Sequence, residues 1–114
     1  MSIQDELDRL FPGHLSQASA GAWEGAKARL PLGSTVRGVV VARYPFGVFV
    51  DIDTGFPALI LVVRLAGADR QPYTDVDRFP AIGSIVEARI CAWAGDRRQI
   101  GLTQLEREPM LAES

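Results

Sequence analysis

Two aromatic side chains three residues apart are the part of this sequence best suited to recognition chemistry. Phe46 and Phe49 stand in the run PFGVFVDI at residues 45–52, which follows a valine-rich stretch. Flat rings at the mouth of a small β-structure offer faces on which unpaired bases stack. The competing interpretation places both rings in the hydrophobic core, where strand phenylalanines usually lie.

Arginine supplies nearly all of the positive charge, since eleven of the twelve basic residues are Arg. Arg37 and Arg43 differ by an even number and are expected on the same side of one strand, and Arg89 is a similar candidate on a later strand. Next to stacked bases these side chains would contact phosphates; otherwise they are ordinary solvated arginines. The net charge of −2 argues against strong, sequence-independent binding to nucleic acid.

Residues for catalysis or metal binding are sparse. His14 is the only histidine and Cys91 the only cysteine, and we expect a surface histidine and a strand cysteine rather than a nucleophilic pair. Asp51 and Asp53 alternate along a strand, but no third ligand is near in sequence, so both are read as solvated. The sequence has no Walker loop, G-x-S-x-G or zincin helix. It therefore predicts no enzyme, no cofactor and no metal site.

The first third of the chain has helical patterns. Ser2 resembles a helix cap, and an apolar stripe follows at helical spacing until Pro12 and Gly13 end it. A second helix is predicted over about residues 15–29, with Trp23 available as an anchor. These helices are expected to be a packing appendage; the alternative is an arm that binds a partner.

From Leu32 onward the pattern is β. Turn signals separate five predicted strands, at roughly 35–44, 47–53, 58–63, 84–93 and 98–103. The connection from 65 to 83 is expected to hold a helical turn, and Trp93 to pack in the core or at the barrel rim. Five strands with one long connection after the third predict an all-β fold, a five-stranded OB-fold Greek-key barrel with a short N-terminal helical extension.

The predicted organisation has three parts: an N-terminal helical extension over 1–31, a barrel over 32–104 and a helical or frayed tail over 105–114. The longest apolar run, 57–63, is strand-sized, so no membrane span is expected. The acidic start lacks the features of a signal peptide, and a cytoplasmic location is the expectation.

Four segments together resemble the S1-type RNA-binding domain family. They are GSTVRGVV at 33–40, FGVFVD at 46–51, FPAIGSIVEARI at 79–90 and IGLT at 100–103. The resemblance covers about residues 32–104. It implies a five-stranded OB barrel that binds single-stranded RNA.

The family's ligand face is only partly matched. Phe46 and Phe49 match the two aromatics on which bases stack in the family. Leu61 stands where the family usually has a histidine on the binding surface. Gln99 stands where the family prefers a basic residue, with Arg98 one place earlier. The resemblance thus implies that this chain retains the family's two stacking aromatics but lacks its histidine.

Two hypotheses follow from this mixed face. The first is a small non-catalytic protein, accessory to translation or RNA metabolism, that binds single-stranded RNA weakly and in a salt-sensitive way through Phe46 and Phe49. Asp96 and Arg98 would join the face if the last hairpin slips register. The alternative is a module that has lost RNA and binds a protein through the N-terminal helices or the face of Phe46, Phe49 and Leu61.

Overall fold

A computed structural model describes residues 2–106 of the chain, and within them five strands close into a barrel. The strands are β1 (Thr35–Tyr44), β2 (Gly47–Asp51), β3 (Ala58–Leu61), β4 (Ile85–Ala94) and β5 (Gln99–Thr103). Their order around the barrel is β1-β2-β3-β5-β4, with β3 and β5 parallel and all other pairs antiparallel. The predicted five-stranded OB barrel is confirmed. The predicted tail lies largely outside the described residues.

Two strands end earlier than predicted, each for a local reason. β2 ends at Asp51 because Asp53 adopts a left-handed φ of 64° and its N–H donates to the Asp51 carboxylate at 2.9 Å. This Asx turn takes the place of further ladder bonds. β3 ends at Leu61 because Val62–Arg64 winds into a 3-10 turn.

The barrel core is built by alternate residues of every strand. Their side chains are almost fully excluded from solvent and include Val40, Val48, Val50, Ile60, Ile90, Ile100 and Leu102. The long connection between β3 and β4 adds Leu65 and Phe79 and holds the 3-10 turn Val76–Arg78, so the predicted helical turn is confirmed. Gly47 is required where β2 begins, because a Cβ there would overlap the Ile60 carbonyl oxygen on β3.

A β-bulge in β1 changes which side chains face outward. The register of β1 against β2 shifts between Val40 and Ala42. Val40 packs in the barrel core, whereas Ala42, two residues later, packs on the outside of the sheet. A bulge inserts one unpaired residue and so reverses the alternation beyond it. The prediction that Arg37 and Arg43 share a side of β1 is therefore wrong.

Two α-helices precede the barrel. α1 (Ile3–Leu10) begins at a capping box, in which the Ser2 hydroxyl accepts from the Asp5 N–H and the Asp5 carboxylate accepts from the Ser2 N–H. α2 (Ala20–Arg29) follows a 3-10 turn at Gln17–Ser19. The first helix agrees with its prediction, and the second helix begins later than predicted.

α2 closes one end of the barrel through Trp23, which is 4% exposed. The indole packs edge-on against Phe56 and against Trp93, with ring centroids 5.1 Å apart in each pair. Trp93 is itself buried, which confirms the expected packing role. In the described part of the chain no helix is long and apolar enough to cross a bilayer.

Candidate nucleic-acid interface

Three aromatic rings form one cluster on the outer side of the β1–β2 hairpin. Tyr44 and Phe46 lie parallel, with centroids 5.3 Å apart and planes 2° from each other. The ring centroids of Tyr44 and Phe46 lie 6.0 and 6.1 Å from the centroid of Phe49, and both rings are nearly perpendicular to the Phe49 ring. We call Tyr44, Phe46 and Phe49 the aromatic cluster.

Strand alternation explains why these rings point outward. On β2, Val48 and Val50 fill the barrel core, so Phe49 between them faces the other way. Its cross-strand partners are Ala42 on β1 and Leu59 on β3. The bulge in β1 brings Ala42, and with it Tyr44, to this outer side.

Helix α1 lies across this outer side of the sheet. Leu7 and Phe11 are 1% and 3% exposed, and they pack with Ala42 and Phe49 in what we call the outer cluster. Leu10, Val41, Tyr44, Phe46 and Leu59 pack against the outer cluster and are half-buried. Phe49 is itself 2% exposed, so in this arrangement its ring has no free face, while Phe46 keeps part of its surface in solvent.

A hydrogen bond ties α1 to the aromatic cluster. The Tyr44 hydroxyl donates to the Glu6 carboxylate. Burial, the hydrogen bond and the negative charge of Glu6 raise the pKa of Tyr44 from 10.0 to about 12. Tyr44 is therefore neutral at physiological pH and holds α1 in place as a donor.

Arg98 reaches the segment that follows α1. It lies in the β4–β5 turn with a left-handed φ of 49°. Its Nη1 donates to the main-chain carbonyl of His14 at 3.3 Å and to that of Ser16. Arg98 thus contacts the turn that follows α1, whereas the Asp96 carboxylate lies 3.9 Å from the Nε atom of its neighbour Arg97.

Leu61 and Gln99 are both half-buried, but they lie at opposite ends of the parallel β3–β5 pair, in which Ala58 is in register with Ile100 and Ile60 with Leu102. Leu61 is in register with Gly47, next to Phe46, and faces the same side of β3 as Leu59. Gln99 begins β5 and is in register with Ala94. Leu61 therefore extends the apolar surface around Phe46.

The other three candidate arginines lie elsewhere. Arg43 is in register with Val48, a barrel-core residue, and its Nη1 donates to the Val76 carbonyl in the long connection at 3.3 Å. Arg37 is exposed near the start of β1, opposite Glu87 on β4. The structure does not bring Arg37 or Arg43 to the aromatic cluster. Arg89, the strand-four candidate, donates to the Leu105 carbonyl.

His14 is not at the surface as expected. It is 2% exposed, its Nδ1 lies 2.9 Å from the Phe11 carbonyl oxygen, and its ring meets the edge of Phe11. The turn after α1 folds the ring inward, which a lone histidine beside Pro and Gly does not reveal. Cys91 is fully buried on β4. Within residues 2–106 no three His, Cys, Asp or Glu side chains are grouped to hold a metal ion.

Sequence reasoning missed Tyr44 and the covering residues Leu7 and Phe11. Tyr44 stands two places before Phe46, but its direction depends on the bulge. Leu7 and Phe11 belong to the apolar stripe of the first helix. The stripe indicates that these side chains are buried, but it does not indicate which surface they contact. Spacing alone therefore could not locate them beside Phe49.

Comparison with known proteins agrees with this architecture. The small ribosomal subunit protein bS1 of Chlamydia muridarum is 26% identical over 103 residues, which is 90% of this chain and 17% of that protein. The chain thus spans about a sixth of that relative. GSP13 from Bacillus subtilis superposes with a TM-score of 0.54 at 19% identity, covering 69% of this chain and 64% of GSP13. The chain is an S1-type OB-fold domain.

A further structure shares the S1-type fold. A chain of the a/eIF2alpha-aDim2p-rRNA complex from Pyrococcus horikoshii superposes with a TM-score of 0.55 at 19% identity, over 63% of this chain and 42% of that chain. No protein-family profile matches the sequence. The barrel is therefore common to these proteins, whereas the aromatic cluster and its covering helix are described from this chain alone.

Proposed function

We propose that this S1-type domain binds single-stranded RNA through the outer side of β1, β2 and β3, without catalysis, as a cytoplasmic accessory of translation or RNA metabolism. The observation that carries the proposal is the aromatic cluster, in which Tyr44 and Phe46 offer aromatic surface beside Phe49. The similarity to a ribosomal protein and to a protein of an rRNA complex supports the same class of ligand.

Stacking alone gives modest affinity. Each stacked base contributes about 1–3 kcal/mol, so two bases give about 2–6 kcal/mol, and micromolar binding needs about 8 kcal/mol. The remainder must come from phosphate contacts and from apolar contact with Leu61. We propose Arg98, which contacts the segment after α1, as a phosphate ligand, with Gln99 as a hydrogen-bonding neighbour.

Arg37 and Arg43 remain proposed contacts for a longer RNA that continues beyond the aromatic cluster. A chain with net charge −2 has little long-range attraction for phosphates. Binding is therefore weak, and it falls as salt rises because each phosphate contact releases counterions.

The first test is fluorescence anisotropy with labelled single-stranded oligouridine at low and moderate salt. Phe46→Leu keeps apolar bulk and removes the ring, so affinity falls roughly 5- to 150-fold, the equivalent of one lost stack. Phe46→Tyr keeps the ring and serves as the matched control, with affinity close to wild type. Equal affinity for the Leu and Tyr variants would remove stacking from the mechanism.

Salt dependence tests the phosphate contact separately. Loss of one phosphate contact to single-stranded nucleic acid lowers the slope of log affinity against log salt by about 0.7. Arg98→Ala shows that change, whereas Arg70→Ala, an exposed arginine of the long connection, leaves the slope as it is. An unchanged slope for Arg98→Ala would remove Arg98 from the interface.

One observation favours the protein-interaction alternative. The surface of Phe46 and Phe49 already accepts an amphipathic helix, since α1 packs on it, and Leu61 extends the apolar surface next to Phe46. A second protein could present a helix of the same kind. Absence of saturable RNA binding at low salt, by wild type and by a variant with α1 displaced, would favour this alternative.

A further inference from the structure

We infer that residues 2–19, which we call the N-terminal segment, form a built-in competitor that RNA must displace from the aromatic cluster. The inference rests on the proposed function and concerns how the same site is regulated. It depends on two separate sets of contacts, one apolar and one polar. Both sets use the groups assigned above to the RNA.

The apolar contacts occupy the stacking surface. Leu7 and Phe11 lie on the outer cluster and leave Phe49 only 2% exposed. A base cannot stack on that ring while these side chains remain there. Phe46, which is half-buried at the edge of α1, would gain solvent-accessible surface when the helix leaves.

The polar contacts occupy the proposed phosphate ligand. Arg98 donates through one nitrogen to the carbonyl oxygens of His14 and Ser16. These oxygens stand in for the phosphate oxygens that a guanidinium would contact in RNA. The helix itself carries Asp5, Glu6 and Asp8. The N-terminal segment thus brings negative charge and oxygen acceptors to the site, as RNA would.

Displacement of the segment need not open the barrel. The outer cluster shares no residue with the barrel core. Trp23 of α2 belongs to the barrel core and remains there, so the segment stays tethered when α1 leaves. Gly13, at a φ of 73° directly after Pro12, supplies a turn between α1 and the rest of the segment.

Competition lowers the apparent affinity in proportion to the open fraction. Where only a fraction of molecules is competent, the apparent dissociation constant equals the intrinsic one divided by that fraction. If about one molecule in ten is open, displacing α1 by mutation tightens RNA binding about tenfold. The coupling is reciprocal, so RNA binding raises the fraction of molecules in which α1 has left the aromatic cluster.

The test compares two variants that add the same negative charge to the same helix. Leu7→Asp places a charge in the outer cluster and displaces α1. Ile3→Asp places it on the exposed side, where Ile3 is 40% exposed. Labelled single-stranded oligouridine of roughly twelve nucleotides is the probe, a length within the range of OB-fold sites. Near-ultraviolet circular dichroism of the two tryptophans confirms that the barrel remains folded.

We expect Leu7→Asp to bind the oligonucleotide about tenfold more tightly than wild type, and Ile3→Asp to match wild type. Equal affinity of Leu7→Asp and wild type, with saturable binding in both, would refute the competition and leave the proposed function standing. No binding by any of the three proteins would refute the proposed function and the competition together.

Hydrogen exchange of the unmodified chain gives a second readout that requires no variant. RNA should accelerate exchange of the α1 amides at residues 3–10 while the barrel strands stay protected. Saturating RNA that leaves α1 protected would place the RNA elsewhere and overturn the inference. Accelerated exchange in α1 without loss of barrel protection would support it.

Discussion

Replacing Trp23 by alanine tests whether α2 is part of the barrel rather than an addition to it. Trp23 is 4% exposed and lies between Phe56 and Trp93 at the barrel end. A buried Trp→Ala change costs about 3–5 kcal/mol, and each edge-to-face aromatic pair adds about 0.5–1.5 kcal/mol beyond burial. We therefore expect Trp23→Ala to lower the free energy of unfolding by at least about 3 kcal/mol.

A loss of this size is large for such a chain. Domains of this class are stable by about 5–15 kcal/mol, and 1 kcal/mol shifts the melting temperature by about 4–8 °C at 60–100 residues. Trp23→Ala should therefore melt at least about 12 °C below wild type. Urea denaturation followed by far-ultraviolet circular dichroism measures the free energy, and thermal scans measure the temperature shift.

Two matched variants show whether the loss comes from this packing. Trp23→Phe keeps a ring between Phe56 and Trp93, so its free energy of unfolding should fall less than that of Trp23→Ala. Glu24→Ala changes the next residue of α2, which is exposed, and should stay within about 0.5 kcal/mol of wild type. A loss below 1 kcal/mol for Trp23→Ala would refute the assignment of α2 to the barrel core.

Three further predictions concern single contacts. Because the pKa of Tyr44 is raised in the folded state, its contribution to stability is complete below pH 10 and is lost as pH rises through about 12. Tyr44→Phe should therefore lose less stability than wild type across that pH range, as measured by urea denaturation at fixed pH. Gly47→Ala should cost at least about 1–3 kcal/mol in the same assay, because its Cβ overlaps the Ile60 carbonyl. Gly21→Ala should stabilise the protein by about 0.8–1 kcal/mol, because Gly21 is helical with no atom within 4 Å of the added Cβ; a loss would reveal a hidden contact.

Much of the fold follows from local patterns in the sequence. Alternation of Val48, Phe49 and Val50 predicts a strand with two faces, and the cap at Ser2 predicts the start of α1. These features depend on residues close together in the chain. Local patterns therefore predict every strand end to within two residues.

The candidate site was less predictable because it depends on distant residues. Phe49 was expected as a stacking surface from its resemblance to the family, but α1 covers it from more than thirty positions away in the sequence. The direction of Arg43 depends on the bulge in β1, which inserts one residue and has no residue type in this sequence that marks its position. Periodicity shows that a side chain has a face, and tertiary contacts decide what that face meets.

The parallel pairing of β3 with β5 has a consequence for the order in which the chain can assemble during synthesis. The barrel core needs Ile100 and Leu102 on the last strand, so its closure waits until residue 102 has been made. All members of the outer cluster and the residues packed on it come before residue 60. Helix α1 is therefore available as a cover for Phe46 and Phe49 while the barrel is still open, when exposed apolar strands are most prone to aggregate.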